Sequence, residues 1–194
     1  TGDCFMQKPF WKIKNNKKLI EDLKKIIDGC KLLGVKFIVV PLVDNGSIQN
    51  YDDRKNLINS CNKIIKYLQN SKIKLIFESD FSPKKLKNFI KQFDKNHFGI
   101  NYDVGNSAAL NYDIDKEFKY YGEYIFNIHI KDRVKNGKTI RLGKGNANFL
   151  KLFNNLKKIR YKNNLILQTA RSKNNQHMNE IRISCALCQW YHLQ

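Results

Sequence analysis

The sequence contains little that would hold together a disulfide-stabilised secreted domain or anchor a chain in a membrane. Its cysteines are odd in number and irregularly spaced: Cys4, Cys30, Cys61, Cys185 and Cys188. Such spacing does not indicate a disulfide framework, and reduced thiols in the cytoplasm fit it better. The longest apolar run, residues 37–43, is far shorter than the roughly 20 residues that a membrane span needs. We therefore expect a cytoplasmic protein without a membrane segment.

Zinc and nucleotide signatures built from cysteine or glycine are also missing. Cys185 and Cys188 form a lone Cys-x-x-Cys pair, without the second pair that a structural zinc site needs. We interpret them as two small residues of a C-terminal helix. No glycine-rich dinucleotide or phosphate loop follows the first predicted strand. A structural zinc site and a nucleotide-binding fold of that kind are therefore not expected.

Acidic residues are scarce as well. The 17 Asp and Glu residues are outnumbered by 36 Lys and Arg residues, which gives a formal net charge of +19. A charge of this size attracts nucleic acid, anionic membranes or phosphorylated small molecules. The lysines are spread through helix-like segments rich in Asn and Ile, however, as compositional bias would produce. We therefore expect no nucleic-acid partner.

Strand and helix patterns alternate from one end of the chain to the other. The predicted strands cover residues 2–6, 36–41, 74–79, 98–104, 125–131 and 164–169. The predicted helices cover residues 16–33, 52–70, 82–93, 105–121, 148–159 and 177–190, and a long basic loop covers residues 132–147. Several strands are apolar on both faces, as buried strands of a parallel sheet are. Six successive βα units predict an α/β fold with either an open sheet or a closed barrel.

Four of the predicted strands end in a polar residue that can bind a divalent metal: Glu78, Asp103, His129 and Gln168. A (β/α) barrel builds its active site from the C-terminal ends of several strands, whereas an open sheet places its site between two strands. The four positions therefore favour the barrel. A closed barrel has eight units and typically about 250 residues. With 194 residues, we predict one TIM-barrel domain over residues 1–194 that lacks its first two βα units.

Side-chain alternation within the strands groups these residues further. Asn101 lies on the same face of its strand as Asp103, and Asn127 lies on the same face as His129. Oxygen and nitrogen ligands of this kind suit one hard or borderline divalent ion, such as Mn²⁺, Mg²⁺, Co²⁺ or Zn²⁺. We therefore expect a single metal ion at the C-terminal edge of the sheet.

Five short motifs follow one another along the chain. They are Phe77-Glu78-Ser79-Asp80, Asn101-Tyr102-Asp103-Val104-Gly105-Asn106, His129-Ile130-Lys131-Asp132-Arg133, Leu142-Gly143-Lys144-Gly145-Asn146 and Leu165-Ile166-Leu167-Gln168-Thr169-Ala170-Arg171. In this order and spacing the chain resembles the sugar phosphate isomerase/epimerase family of xylose-isomerase-like TIM barrels. That family includes L-ribulose-5-phosphate 3-epimerases, hexulose-6-phosphate isomerases and ketose 3-epimerases. Because residues 2–6 resemble the third strand of the family, the resemblance covers nearly the whole chain.

The resemblance implies roles for the residues at the strand ends. Glu78 would bind the metal and act as the acid/base, Asp103 and His129 would be metal ligands, and Asn106 would contact the substrate. The last strand of the family supplies a second Glu, where this chain has Gln168. An amide can still bind the metal in the catalytic site, but it cannot take up a proton at neutral pH.

Gln168 therefore changes the expected reaction. Epimerisation beside a carbonyl uses one base on each face of the reacting carbon, whereas an aldose–ketose isomerisation needs only one base. We expect a metal-dependent sugar isomerase or epimerase that works through an enediolate. Glu78 would be its single base.

The basic loop and the segment after the last strand are rich in groups that bind anions. The candidates are Lys131, Arg133, Lys135, Lys138, Arg141, the backbone amides of Gly143 and Gly145, and Arg171. TIM barrels frequently bind phosphate at the loops after strands seven and eight. We therefore expect a small-molecule sugar substrate, with a sugar phosphate favoured. A homo-oligomer is compatible with this expectation.

Two other functions fit parts of the pattern. Gln168 and the missing units weaken catalysis, so a non-catalytic sugar-binding remnant of a barrel is one alternative. A metal-dependent phosphodiesterase resembling the AP endonucleases is the other, because those enzymes share this barrel and the charge suits DNA. They bind several metals with more His and carboxylate ligands, and of the 4 histidines here only His129 ends a strand. Counting bound metal ions therefore separates the three functions.

Overall fold

The computed structural model of the protein describes residues 2–172 and 175–193. They form two compact units. The first contains the residues up to Asp80 together with Leu86–Ile100, and the second contains Phe81–Lys85 and the residues from Asn101 onwards. In these described ranges, no helix has the length and apolar character needed to cross a membrane.

The described residues contain seven strands and eight α-helices. The strands are β1 (Phe37–Leu42), β2 (Lys74–Ser79), β3 (Phe98–Asp103), β4 (Ile125–Ile130), β5 (Asp132–Arg133), β6 (Thr139–Ile140) and β7 (Leu165–Leu167). The helices are α1 (Cys4–Gln7), α2 (Lys17–Leu32), α3 (Tyr51–Ser71), α4 (Pro83–Ile90), α5 (Val104–Ala109), α6 (Ile114–Tyr121), α7 (Phe149–Lys158) and α8 (His177–Leu193). Five strands form a parallel sheet in the order β1-β2-β3-β4-β7. This sheet with intervening helices confirms the predicted α/β, TIM-barrel-like fold.

The first unit is built on two amphipathic helices and the start of the sheet. Helices α2 and α3 pack against each other and bury the apolar positions that their periodicity predicts: Ile20, Leu23, Ile27, Leu57, Cys61, Ile64 and Leu68. Gly34 follows α2 in the left-handed region, with φ of +67°, which glycine tolerates at a helix C-terminus. Pro83 opens α4 as predicted, because its fixed φ suits the first helical position.

The second unit contains the end of β3, the strands β4 and β7, and the last four helices. β4 pairs with β7 from Ile128 opposite Leu165 to Ile130 opposite Leu167. The ladder continues one residue further, because the backbone amide of Gln168 donates to the Ile130 carbonyl at 2.9 Å. Helix α7 packs against both α6 and α8.

A buried carboxylate of α6 fastens the end of β3 in the second unit. Glu117, 2% exposed, accepts hydrogen bonds from the hydroxyls of Tyr102 at 2.8 Å, Tyr121 at 2.6 Å, and Ser107. Burial raises the pKa of Glu117, and the three donors partly offset that rise. Buried carboxylates are costly unless they are hydrogen-bonded in this way. The cluster therefore holds β3 one residue before Asp103.

Three predicted elements differ from the structure. The predicted strand at residues 2–6 is wrong, because α1 forms there and only the Gly2 amide bonds to β1, at the Val39 carbonyl, 2.8 Å away. The single helix predicted over 105–121 is two helices, since Asn111 turns left-handed at φ of +58° and Asp113 caps α6. The basic loop contains an unpredicted antiparallel pair, β5 with β6. Five strands, not six, therefore form the parallel sheet.

Candidate functional site

Asp103 ends β3 with its two carboxylate oxygens in different roles. Oδ1 accepts the Asn106 backbone amide at 2.8 Å and so caps α5. Oδ2 lies 3.8 Å from His129 Nδ1 and 2.9 Å from Lys131 Nζ. No group among the described residues reaches Oδ2 in hydrogen-bond geometry, although the atom is buried. Lys131 pairs with Oδ2 by charge, and a carboxylate oxygen has a further lone pair that can accept a ligand.

The charge state of Asp103 fits a metal ligand. Burial raises the pKa of this carboxyl, but His129 and the Lys131 ammonium together outweigh burial and hold the pKa below its usual value. The group is therefore ionised at neutral pH. An ionised carboxylate beside a buried imidazole is a donor pair that binds Zn²⁺, Mn²⁺ and related ions in proteins.

His129 lies on β4 above a pair of buried amides that the sequence placed on the same faces. The Asn127 amide donates to Asn101 Oδ1 at 2.6 Å, and Asn101 Nδ2 lies 3.1 Å from His129 Nδ1. All three side chains are buried. Alternation along the strands predicted the shared faces of these residues but not the hydrogen bonds between them. Such contacts fix the orientation of a ligating imidazole ring.

Glu78 belongs to the first unit, where it is the fifth residue of β2 and is 8% exposed. Its neighbour Phe77 pairs with Ile100 of β3, which lies three residues before Asp103 in the sequence. Asp80, two residues after Glu78, accepts the Ser47 hydroxyl at 2.6 Å. The predicted acid/base is therefore a buried residue near the C-terminal end of its strand.

Two residues predicted to contact substrate, Arg133 and Asn106, are hydrogen-bonded to each other. Arg133 donates through Nη1 to Asn106 Oδ1 at 2.8 Å, and through Nε and Nη2 to the Gly137 carbonyl at 2.9 and 2.7 Å. These bonds tie the basic loop to the start of α5. The roles of Arg133 and Asn106 in substrate binding stay predictions.

The backbone amides of Gly143 and Gly145 already donate hydrogen bonds within the protein. Both donate to Asp132 Oδ2, at 2.9 and 2.8 Å, and the Ala147 amide donates to Asp132 Oδ1 at 3.0 Å. The prediction that these two glycine amides bind phosphate therefore does not fit the structure. Asp132 belongs to one of the sequence motifs, but no sequence pattern indicated that its partners lie 11–15 residues further along the chain.

A cavity of about 790 Å³ lies in the second unit, between the basic loop, the segment after β7 and the start of α8. We call it the basic cavity because Lys131, Lys138, Arg141 and Arg171 line it. Gln168 also lines it, with an exposed side chain. Glu180 of α8, which the sequence did not single out, lines the same cavity and pairs with Arg141 at 3.0 Å. The structure thus brings four predicted cations together around one opening.

Comparison with known families identifies the class of protein. The sequence profile described as "Xylose isomerase-like TIM barrel" matches residues 12–187. The chain therefore belongs to the xylose isomerase-like TIM barrel family.

One curated relative and several solved structures are similar to the chain. Inosose isomerase of Bacillus licheniformis is 25% identical over 127 residues, which cover 61% of this chain and 46% of the relative. The chain thus spans less than half the length of that relative.

Among solved structures, a xylose isomerase domain protein from Planctomyces limnophilus has a TM-score of 0.78 at 18% identity, over 92% of this chain and 67% of that one. The IOLI protein with a bound zinc atom gives 0.76 at 17% identity, over 92% and 72%. D-psicose 3-epimerase with D-tagatose from Clostridium cellulolyticum H10 gives 0.74 at 14% identity, over 93% and 73%. At these identities the likeness concerns the fold.

Proposed function

We propose that the protein is a metal-dependent sugar isomerase or epimerase. Glu78, Asp103 and His129 hold one divalent ion, Gln168 contributes its amide to the same site, and Glu78 is the acid/base. The substrate is a sugar that carries an anionic group, a sugar phosphate in the simplest case. The related inosose isomerase and the epimerases of the same fold support the class of reaction.

The observation that carries this proposal is the ionised, buried Asp103 carboxylate beside the buried His129 imidazole, whose Nδ1 lies 3.8 Å from Oδ2. We propose Glu78, a buried carboxylate near the C-terminal end of β2, as the third ligand. Three protein ligands suit a single catalytic metal ion. A multinuclear phosphodiesterase site needs more ligands, so the isomerase is favoured over the nuclease.

The proposed reaction needs only one base. A bound divalent ion supplies the positive charge that polarises a substrate carbonyl. Glu78 removes a proton from the carbon beside that carbonyl and returns it to the former carbonyl carbon, while a hydroxyl proton moves to complete the exchange of carbonyl and alcohol. The Gln168 amide can orient a substrate oxygen, but it cannot exchange the proton.

The basic cavity supports an anionic substrate. Lys131 lines the cavity and also pairs with Asp103, so one residue links the cavity to the proposed ligands within the second unit. Arg141 is partly neutralised by Glu180, which leaves Lys138 and Arg171 as the cations best placed for a phosphate. Guanidinium groups bind phosphate through paired hydrogen bonds.

Metal analysis tests the proposal directly. We expect one bound Mn²⁺ or Zn²⁺ ion per chain. We also expect a carbon-bound proton of D-fructose 6-phosphate or L-ribulose 5-phosphate to exchange with solvent deuterium, measured by NMR, until a chelator removes the metal. A protein that binds no metal contradicts the proposal. Bound metal without any exchange supports the sugar-binding alternative, and several ions per chain support the phosphodiesterase.

Arg171 tests the anionic group. We expect Arg171→Ala to raise KM for D-fructose 6-phosphate by about 10-fold or more, because a hydrogen bond to a charged group contributes roughly 1.5–3 kcal/mol. KM for free D-fructose should stay within about two-fold, since no phosphate contact is lost. Arg182→Ala is the matched control, because Arg182 is exposed on α8 and does not line the basic cavity. Equal losses for both sugars would count against a phosphate contact.

A further inference from the structure

Asp132 is fully buried and does not line the basic cavity, yet three amides of the basic loop converge on it. Gly143 and Gly145 donate to Oδ2, and Ala147 donates to Oδ1, at 2.8–3.0 Å. Successive backbone amides that point at one carboxylate form the kind of concave site that otherwise binds a free anion. Here the Asp132 carboxylate occupies the concave site, so the start and the end of the basic loop are hydrogen-bonded to each other.

The fit around Asp132 is close enough to dictate the residue type opposite it. A Cβ atom at position 145 would collide with Asp132 Oδ1 and would lie 2.8 Å from the Arg133 carbonyl oxygen. Only glycine therefore allows the amide of residue 145 to reach the carboxylate. The neighbouring Asn146 amide bonds to the same Arg133 carbonyl at 2.9 Å. The second half of the basic loop is thus fixed against β5.

Two cations of the cavity come directly before the part of the loop that Asp132 fixes. Lys138 and Arg141 line the basic cavity, and Arg141 lies two residues before the first amide that Asp132 accepts. On the opposite side, Glu180 holds Arg141 at 3.0 Å. The positions of these cations therefore depend on a carboxylate outside the cavity.

We propose that Asp132 is a positioning residue that holds the basic loop in the conformation which binds the anionic group of the substrate. The Lys and Arg side chains of the basic cavity then bind the anion, while the loop amides donate their hydrogen bonds to Asp132. The inference rests on the proposed function, because it takes the basic cavity as the place where a phosphorylated sugar binds.

Electrostatics alone predicts the opposite change in anion affinity when Asp132 is removed. Asp132 contributes a negative charge near a cluster of cations, so its removal should strengthen anion binding if charge were all that mattered. If Asp132 acts by holding the loop, its removal weakens anion binding instead. The direction of the change separates the two effects.

The experiment measures binding of inorganic phosphate to the metal-free protein by calorimetry, and binding of Mn²⁺ separately. We expect Asp132→Ala to weaken phosphate binding by about tenfold or more, since the loss of one contact to a charged group is of that order. Mn²⁺ affinity should change less than about two-fold, because Asp132 is not one of the proposed ligands. Formate, which can occupy the emptied carboxylate site, should restore part of the phosphate affinity.

Gly145→Ala provides the second variant. It disturbs the same contact without changing the charge, so it should weaken phosphate binding as Asp132→Ala does. Asp3→Ala is the control for loss of a carboxylate, because Asp3 is exposed and its side chain makes no capping bond. If Asp132→Ala does not fold, Asp132→Asn, which keeps one acceptor oxygen, takes its place.

The outcomes separate this inference from the proposed function. Unchanged or tighter phosphate binding in Asp132→Ala and Gly145→Ala overturns the inference alone. A wild-type protein that binds Mn²⁺ but no phosphate overturns both the inference and the anionic substrate, and leaves the metal site standing. A wild-type protein that binds phosphate but no Mn²⁺ overturns the metal-dependent function, and the loop variants still decide the role of Asp132.

Discussion

Glu78→Gln is expected to lower the rate of carbon-bound proton exchange by about 10²–10⁴-fold, the usual contribution of a positioned general base. The substitution keeps the shape of the side chain and one oxygen that can bind a metal, but it removes the group that takes up the proton. Because Glu78 is 8% exposed, an isosteric amide avoids the cavity that Ala would leave. The exchange rate should be measured by NMR at saturating Mn²⁺, so that weaker metal binding does not obscure the result.

Two controls make this test specific. Glu21→Gln changes an exposed carboxylate on α2 that pairs with Lys24, and it should leave the exchange rate within about two-fold, as exposed pairs contribute little. Gln168→Glu is the reverse change, since it adds a carboxylate where the resemblance to the family implies one. It should allow exchange on the opposite face of the sugar and so produce epimer as well as isomer. A wild-type exchange rate in Glu78→Gln would eliminate Glu78 as the base.

The sheet could be predicted from the sequence because its strands are short, apolar and bounded by polar residues. β2 matches its predicted range, and β3 and β4 end one residue earlier than expected. Parallel strands that are buried on both faces appear in the sequence as short, nearly continuous apolar runs. The same apolar pattern made the prediction for residues 2–6 wrong. Their apolar character indicated a strand, but only the Gly2 amide joins the edge of β1.

The strand positions of the proposed ligands were predictable, whereas the contacts among loop residues were not. Asp103 and His129 end strands, and strand ends meet at one edge of a parallel sheet. The pairing of Asp132 with Gly143, and of Arg141 with Glu180, joins residues whose separation in sequence follows no secondary-structure period. Periodicity therefore places the proposed catalytic groups on strands but does not determine which loop amides are already hydrogen-bonded. That is why the sequence assigned two glycine amides to a phosphate.

The proposed metal site and a simple buried ion pair differ in what they predict for Lys131. The Lys131 ammonium lies 2.9 Å from Asp103 Oδ2, the atom that would also bind the ion. If the Asp103 carboxylate binds a metal ion, the Lys131 ammonium competes with that ion for Oδ2. Lys131→Met should then leave metal affinity unchanged or increase the affinity. If the carboxylate serves only the ion pair, Lys131→Met should destabilise the protein by about 3–5 kcal/mol, the usual cost of breaking a buried pair.

Asp103→Asn is expected to weaken Mn²⁺ binding by at least about 100-fold. Losing a residue that only supports a metal ligand typically weakens binding by about 10–100-fold, and Asp103 is proposed to be an ionised ligand itself. The amide can keep the Oδ1 contact to the Asn106 backbone at 2.8 Å, so the cap of α5 survives. Asp113→Asn is the matched control, since Asp113 caps α6 through the Asp115 and Lys116 amides. It should leave Mn²⁺ affinity unchanged in calorimetric titration. If both variants bind Mn²⁺ like the wild type, Asp103 is a helix cap paired with Lys131, and its ionised state serves the fold and not a metal.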